Sequence, residues 1–187
     1  GRVVKIDSTR EETFVSSRVR HAMKIKITSW VRPDGTFAAR RYEAYSDQGG
    51  YASHGHSIAA KGLNCFPELY QCANVSGDAY TVYTNKPTSG AMRGYGIPQA
   101  MWAGECHIDD ICTQLGFDPY EFRLLNSMER GHVNNFNKNE NFDDSLRQTL
   151  IKGADHIDFR ALRDRYQHQD PQARVRRGVG VASFWYN

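Results

Sequence analysis

The sequence predicts an α+β fold. Two alternating strand patterns joined by a turn predict a β-hairpin, and apolar residues at helical spacing predict several helices. The two kinds of element do not follow a strict β-α-β order, which favours α+β over α/β. The 187 residues are 40% hydrophobic and 12% aromatic, so the chain can bury a core and is not expected to be disordered.

The hairpin comes first along the chain. Polar and apolar side chains alternate over residues 24–30, and a second strand-like run covers residues 36–45. The turn Arg32-Pro33-Asp34-Gly35 separates the two runs. Because proline fixes φ and glycine accepts positive φ, this turn suits a hairpin with one face on the core.

Short elements are expected after the hairpin. The paired glycines Gly49 and Gly50 permit a backbone path that other residues avoid. A helix is expected over residues 57–63. Two short strands are expected over 71–75 and 79–84, divided by a turn at Ser76-Gly77-Asp78.

The clearest helix runs from Ile97 to Leu115. Pro98 lies in its first turn, and Gly116 suits the position just after its end. Its apolar side chains recur at helical spacing: Met101, Ile108, Ile111, Cys112 and Leu115.

A second helix should begin at Pro119, with Asp118 as its N-cap, and end near Leu125. Residues 131–141 hold five asparagines and no periodic pattern, which predicts a long loop. Two helices over 144–153 and 159–167 and a strand over 179–185 complete the predicted elements.

Charge and cysteine patterns exclude several classes of protein. The net charge is only +3 and the basic residues are interspersed, which disfavours nucleic-acid binding. No apolar run is long enough for a membrane helix and the N-terminus does not resemble a signal peptide, so we expect a cytoplasmic protein without a membrane partner. The four cysteines lack a Cys-x-x-Cys pair, so no zinc ribbon or iron–sulfur cluster is expected. The missing initiator methionine and the strand-like last residues lead us to expect a piece of a longer polypeptide.

The most unusual segment precedes the clearest helix. Residues 84–99 contain three glycines and two prolines, and they end at a helix N-terminus, where free N–H groups and the positive end of the helix dipole converge. The run Gly94-Tyr95-Gly96 lacks the third glycine of the dinucleotide fingerprint. Two interpretations stay open: a binding site for an anionic or oxo ligand, and a structural link from strand to helix.

Residues 90–99 read Gly-Ala-Met-Arg-Gly-Tyr-Gly-Ile-Pro-Gln and are followed by Glu105. This pattern resembles the molybdopterin-binding large subunit of the xanthine dehydrogenase and aldehyde oxidase family, the molybdenum hydroxylases. The resemblance covers about two thirds of the chain, roughly residues 10–131. Further elements resemble the family in the same order: Arg10-Glu11-Glu12, Gly49-Gly50-Tyr51, Thr84-Asn85, Leu115-Gly116-Phe117-Asp118-Pro119, Arg123 and Asn126.

The resemblance implies that residues 1–187 are part of the molybdopterin-binding domain of a larger subunit. It assigns Ala91, Met92, Arg93 and Gly94 to binding of molybdenum–molybdopterin, and its cytosine dinucleotide form is an open alternative. It implies that iron–sulfur centres and FAD lie on partner domains or subunits. Neither a metal ligand nor a catalytic residue is expected in this chain, because the glutamate base of the family lies in a later part of the large subunit.

The resemblance also implies a reaction and a substrate site. The family hydroxylates an N-heteroaromatic or aldehyde substrate with oxygen from water, so the expected activity is that of a xanthine-dehydrogenase-like oxidoreductase, absent from the isolated chain. Tyr95 would line the substrate pocket and stack on a flat ring. Lys61 stands where purine-hydroxylating members carry an arginine. Because lysine is a point charge rather than a bidentate fork, another anionic or carbonyl-bearing small molecule is favoured over xanthine.

Structural roles compete with these assignments. Tyr95 could be a core tyrosine and Lys61 a solvated helix residue, and the whole chain could be a non-catalytic anion-binding or assembly module that retains the fold. Glu105 is expected to cap a helix or form interior hydrogen bonds rather than act as a base. His54 and His56 have no third ligand in view and are not expected to bind a metal.

Overall fold

The computed structural model describes residues 1–186. Within that range it contains six α-helices, one short 3₁₀-helix and three β-strands, which confirms the α+β fold. In chain order the elements are α1 (Arg10–Ser16), β1 (Met23–Val31), β2 (Phe37–Gly49), α2 (Gly55–Cys65), the 3₁₀-helix (Phe66–Glu68), β3 (Val75–Tyr83), α3 (Ile97–Leu115), α4 (Pro119–Asn126), α5 (Ser145–His156) and α6 (Phe159–Gln167).

The predicted hairpin is confirmed by the antiparallel pairing of β1 with β2. In its turn the Gly35 N–H donates to the Arg32 carbonyl at 2.9 Å, and Gly35 adopts a φ of 85°. Along β2, Tyr42 is buried while the neighbouring Arg41 and Tyr45 are exposed, as the alternation requires. The hairpin thus turns one face toward the helices.

The strand predicted at 79–84 is confirmed as the second part of β3, whereas the separate strand at 71–75 and the turn at 76–78 are wrong, because β3 is one strand that begins at Val75 and runs through the predicted turn. It pairs in parallel with β2, and α2 forms the connection between them. Gly77 explains the error. A Cβ there would meet the Leu63 side chain and lie 2.9 Å from the Tyr42 carbonyl, so this glycine permits close packing rather than a turn.

Helices α3 and α4 form as predicted. Gly116 ends α3 in the left-handed conformation with a φ of 77°, and the Asp118 carboxylate caps α4 by accepting from the N–H groups of Tyr120 and Glu121. The predicted helices near 57–63, 144–153 and 159–167 are also confirmed, with slightly different ends.

The predicted strand over 179–185 is wrong. Inward and outward side chains do alternate there, but the segment pairs with no other strand in the part of the chain that the structure describes. Val179 and Val181 pack instead on a cluster of helix residues that includes Tyr120 and Phe159. The alternation therefore records burial on one side and not membership of a sheet.

Helix α1 was not predicted, because it buries no residue and carries no apolar periodicity. Its local signal is a capping box: the Thr9 hydroxyl accepts from the Glu12 N–H, and the Glu12 carboxylate accepts from the Thr9 N–H. No helix among the described residues is long and apolar enough to cross a membrane.

The main core lies between the sheet and α3. Apolar side chains from β2, the 65–72 region, α3 and α4 fill it, including Phe37, Tyr70, Ile97 and Ile108. Arg40 is buried among them, with its guanidinium 4.1 Å from the ring centroid of Phe66. This core fixes the first turn of α3, and with it the end of the loop that precedes the helix.

Candidate functional site

The segment from Ala91 to Gly96, called the glycine loop below, connects β3 to α3. Three consecutive residues have positive φ: Gly94 at 96°, Tyr95 at 51° and Gly96 at 91°. The Tyr95 N–H donates to the Met92 carbonyl at 3.0 Å, and the Ile97 N–H donates to the Gly94 carbonyl at 3.0 Å. The loop is therefore a pair of tight turns that ends in the first residue of the helix.

Both glycines of the loop are required by their surroundings. A Cβ on Gly94 would lie 2.5 Å from the Pro98 ring, and one on Gly96 would lie 2.6 Å from the Ile58 carbonyl oxygen of α2. Their positive φ values also disfavour any other residue. The loop is thus packed between the start of α3 and the face of α2.

The first half of the loop is open to solvent. Ala91, Met92 and Arg93 are exposed, and their backbone N–H groups donate to no backbone acceptor within residues 1–186. The positive end of the α3 dipole lies directly after the loop. Free donors beside a positive dipole end are suited to a ligand with phosphate or oxo groups, so the residues present fit the molybdopterin group that the sequence implies.

Tyr95 and Lys61 lie on two elements in contact. The Tyr95 ring is half-buried, with its centroid 6.1 Å from that of His54, just before α2. Lys61 is half-buried on α2, three residues after Ile58, whose carbonyl touches the glycine loop. Burial raises the pKa of the nearby Cys65 thiol, and the Lys61 charge opposes that rise. Tyr95 thus lies within the glycine loop, and Lys61 lies on the helix that packs against it.

Sequence reasoning missed several residues that form hydrogen bonds to the loop or to the segment just before it. Gln48 donates from its side-chain amide to the Ser89 carbonyl at 2.8 Å, and its amide oxygen lies 3.4 Å from the Nε2 of buried His21. Arg20 donates from its Nη2 to the Arg93 carbonyl of the loop at 2.7 Å and from its Nη1 to the Gln99 side-chain oxygen of α3 at 3.3 Å. Gln99 had a visible signal, because it follows the proline at the helix start, whereas the others are distant in sequence and carry no local pattern.

Asp47 ties the end of β2 to the segment that leads into the loop. Its carboxylate accepts from the Lys86 ammonium at 2.7 Å, the Thr84 hydroxyl at 2.6 Å and the Gly49 N–H at 3.1 Å. The hydrogen bond from Lys86, followed by that from Thr84, lowers the pKa of Asp47 to about 2. The carboxylate is therefore ionised at every physiological pH.

Glu105 forms interior hydrogen bonds, as predicted. Its carboxylate accepts from the Tyr70 hydroxyl at 2.7 Å, the Arg123 Nε at 2.9 Å and the Ser183 N–H at 2.8 Å. Burial, followed by the Glu105 charge, raises the pKa of Tyr70. Burial, the largest single effect, lowers the pKa of Arg123, but the charge and hydrogen bond of Glu105 together with Tyr70 and Asp109 outweigh it and leave that pKa raised. Fully engaged in this way, Glu105 has a structural role.

Among residues 1–186, no group of three or more histidine, cysteine, aspartate or glutamate side chains is arranged to hold a metal ion. His54 and His56 accordingly form no metal site with a third residue there.

Comparison with known proteins identifies the class of this domain. The chain belongs to the molybdopterin cofactor-binding domain family, whose profile matches residues 1–127. It is 42% identical, over 183 residues, to the putative xanthine dehydrogenase molybdenum-binding subunit XdhA of Escherichia coli strain K12. That match covers 98% of this chain and 24% of the relative, so the chain spans about a quarter of the relative's length.

Two further similarities agree with this class. The nicotinate dehydrogenase large molybdopterin subunit of Eubacterium barkeri is 37% identical over 128 residues, which are 68% of this chain and 30% of that subunit. The solved structure of the aldehyde oxidoreductase from Desulfovibrio gigas matches with a TM-score of 0.74 and 28% identity, over 82% of this chain and 16% of that one. Molybdenum oxidoreductases therefore share both the sequence and the fold of this chain.

Proposed function

We propose that residues 1–187 form part of the molybdopterin-binding domain in the large subunit of a molybdenum hydroxylase. The glycine loop carries the proposal, because Ala91, Met92 and Arg93 are exposed, their N–H groups have no backbone acceptor within residues 1–186, and the two left-handed glycines hold them beside the start of α3. Family membership and the relatives' names support the same assignment. A cytoplasmic location and partners with iron–sulfur and flavin groups belong to this proposal.

In the proposed complex, Ala91, Met92, Arg93 and Gly94 bind the cofactor through their backbone. When bound, molybdenum–molybdopterin supplies the two-electron oxidation of the substrate. The residues of this chain bind and orient: the free N–H groups offset negative charge on the cofactor, and the Tyr95 ring forms a flat wall beside the substrate. The half-buried Lys61 ammonium favours a substrate with negative charge or a carbonyl group.

The Gly94→Ala variant of the full-length subunit tests the cradle. The new methyl group would meet the Pro98 ring at a φ that alanine disfavours, so the loop must change shape. Overpacking and a left-handed alanine together cost about 2–4 kcal/mol, and we expect molybdenum content to fall at least about tenfold. Elemental analysis of the purified protein measures this content.

Gly104→Ala is the matched control. Gly104 lies within α3, and a Cβ there meets no atom within 4 Å, so this variant should keep its molybdenum. Circular dichroism checks that both variants remain folded. Normal molybdenum content in a folded Gly94→Ala protein would contradict the proposal. A wild-type protein without molybdenum, made in cells that supply the cofactor, would favour the non-catalytic module instead.

A further inference from the structure

Arg20 bridges two points on either side of the left-handed turn of the glycine loop. Its Nη2 donates to the Arg93 carbonyl at 2.7 Å, and its Nη1 donates to the Gln99 side-chain oxygen at 3.3 Å. Gln99 in turn donates from its amide nitrogen to the His21 carbonyl at 3.1 Å. The two side chains thus close a ring of hydrogen bonds between the segment after α1 and the start of α3.

This ring sets the orientation of one peptide group. The peptide between Arg93 and Gly94 is trans, so its carbonyl and its N–H point in opposite directions. With the carbonyl directed at Arg20, the Gly94 N–H faces away from the guanidinium. It donates to no backbone acceptor within residues 1–186.

The loop needs such support because its conformation is strained. Tyr95 is not a glycine, yet its φ is 51°, and it lies between two glycines that also have positive φ. Conformations of this kind persist only where the surroundings determine them from several sides. The α2 face and Pro98 hold the second half of the loop, whereas Arg20 is the residue that fixes the Arg93 carbonyl in the first half.

We propose that Arg20, braced by Gln99, is a positioning residue that presents the Gly94 N–H to an anionic or oxo ligand on the opposite side of the loop. Arg20 does not itself contact the ligand. This inference rests on the proposed function of the glycine loop. It assigns a role to the segment after α1, which lies more than 70 residues before the loop in sequence.

Hydrogen exchange on the full-length subunit, produced in cells that cannot make molybdopterin, tests the inference without the cofactor. In Arg20→Met, the amides of Tyr95 and Ile97 should exchange about tenfold faster, because a hydrogen bond from a charged donor that restrains local opening is lost. Arg18→Met is the matched control. The guanidinium of Arg18 makes no hydrogen bond or ion pair within the described residues, and methionine keeps the first carbons of the side chain, which lie beside Gly90. The amides of Tyr95 and Ile97 in this variant should therefore exchange as in the wild type.

Chemical rescue distinguishes positioning from general stabilisation. Ethylguanidinium added to Arg20→Ala should restore slow exchange of the Tyr95 amide, since its planar fork can donate to both the Arg93 carbonyl and Gln99. Ethylammonium, a point charge, should not. Unchanged exchange in Arg20→Met, or equal rescue by both compounds, would overturn the inference.

Molybdenum content of the same variants, made in cells that supply the cofactor, separates the two proposals. Faster loop exchange with reduced molybdenum in Arg20→Met supports both. Faster exchange with normal molybdenum in both Arg20→Met and Gly94→Ala supports the bridging contact of Arg20 and overturns the proposed function. Normal exchange in Arg20→Met overturns the positioning role whatever the molybdenum content.

Discussion

At the scale of single residues, the proposed substrate preference depends on the charge of Lys61. It lies half-buried on the helix that contacts the glycine loop, where solvent screens a charge less than at the surface. A lysine there can bind one negative or carbonyl oxygen strongly, but it cannot form the two parallel hydrogen bonds of an arginine.

Lys61→Ala in the intact enzyme should therefore weaken the productive binding of an anionic substrate more than that of a neutral analogue. A hydrogen bond to a charged group is worth about 1.5–3 kcal/mol, which corresponds to roughly 10- to 150-fold in kcat/KM. Lys61→Arg should keep the charge and shift preference toward substrates with two adjacent acceptors. Lys26→Ala, an exposed substitution on β1, is the control. Unchanged kinetics in both Lys61 variants would assign this residue to a solvated helix face.

Arg40 is a second charged residue of interest, because its buried guanidinium is stabilised by aromatic rings rather than by a carboxylate. Within residues 1–186 its Nε and Nη1 have no hydrogen-bond partner, and burial lowers the pKa of its guanidinium to about 10. It stays charged at neutral pH, stabilised by the faces of Phe37 and Phe66 at 4.7 and 4.1 Å. Aromatic faces thus replace the carboxylate that normally accompanies a buried arginine.

At the scale of elements, the Glu105–Arg123 pair joins α3 to α4 and to the segment that contains Ser183. Breaking a buried ion pair leaves an uncompensated charge, so Glu105→Gln should reduce the free energy of unfolding by about 3–5 kcal/mol. Urea denaturation measures this loss. Asp109→Asn is a sensitive comparison, because Asp109 pairs with the same arginine at 2.9 Å but is 57% exposed. It should cost less than about 1 kcal/mol. Equal losses in the two variants would show that burial does not control the strength of this network.

The same elements show what the sequence could predict. The hairpin, α3 and α4 carry strong local signals in their alternation, proline and glycine positions and caps, and all three are confirmed. The single strand β3 was missed because the role of Gly77 depends on Leu63 and Tyr42, which are distant along the chain. The strand over 179–185 was wrong for a related reason: alternation reports burial, whereas pairing depends on a second strand.

The candidate site likewise contains residues that the sequence could predict and residues that it could not. The glycine loop could be found from sequence because its glycines and prolines are contiguous and its pattern resembles a family. Arg20, which donates to the Arg93 carbonyl, and Gln48, which donates to the Ser89 carbonyl before the loop, could not, because only the fold brings them to this segment. The sequence thus indicates the loop that is proposed to bind a ligand, whereas the residues that support this loop are found only in the structure.

At the scale of the whole molecule, several large apolar side chains are exposed. The outer face of the sheet carries Trp30 at 53% exposure and the stacked pair Tyr45 and Tyr80, whose ring centroids lie 5.0 Å apart. Exposed aromatic side chains are available for contact with another polypeptide segment. Their exposure is compatible with the proposal that this chain is part of a larger subunit, since the chain matches 24% of the length of its Escherichia coli relative.

The last prediction compares the 187-residue chain with the full-length subunit, both free of cofactor. In the chain alone, amides of Gly94 and Tyr95 should exchange much faster than those of Ile108 and Ile111, because the glycine loop is open on one side and the α3 amides lie in the core. In the full-length subunit the loop amides should slow while the α3 amides change little, since the remaining polypeptide is proposed to cover the loop. Hydrogen exchange followed by NMR or mass spectrometry gives both rates on one sample. If the loop amides in the chain alone are protected as strongly as the amide of Ile108, the prediction is contradicted. That result would show that the chain alone stabilises the loop and that the rest of the subunit is not required to cover it.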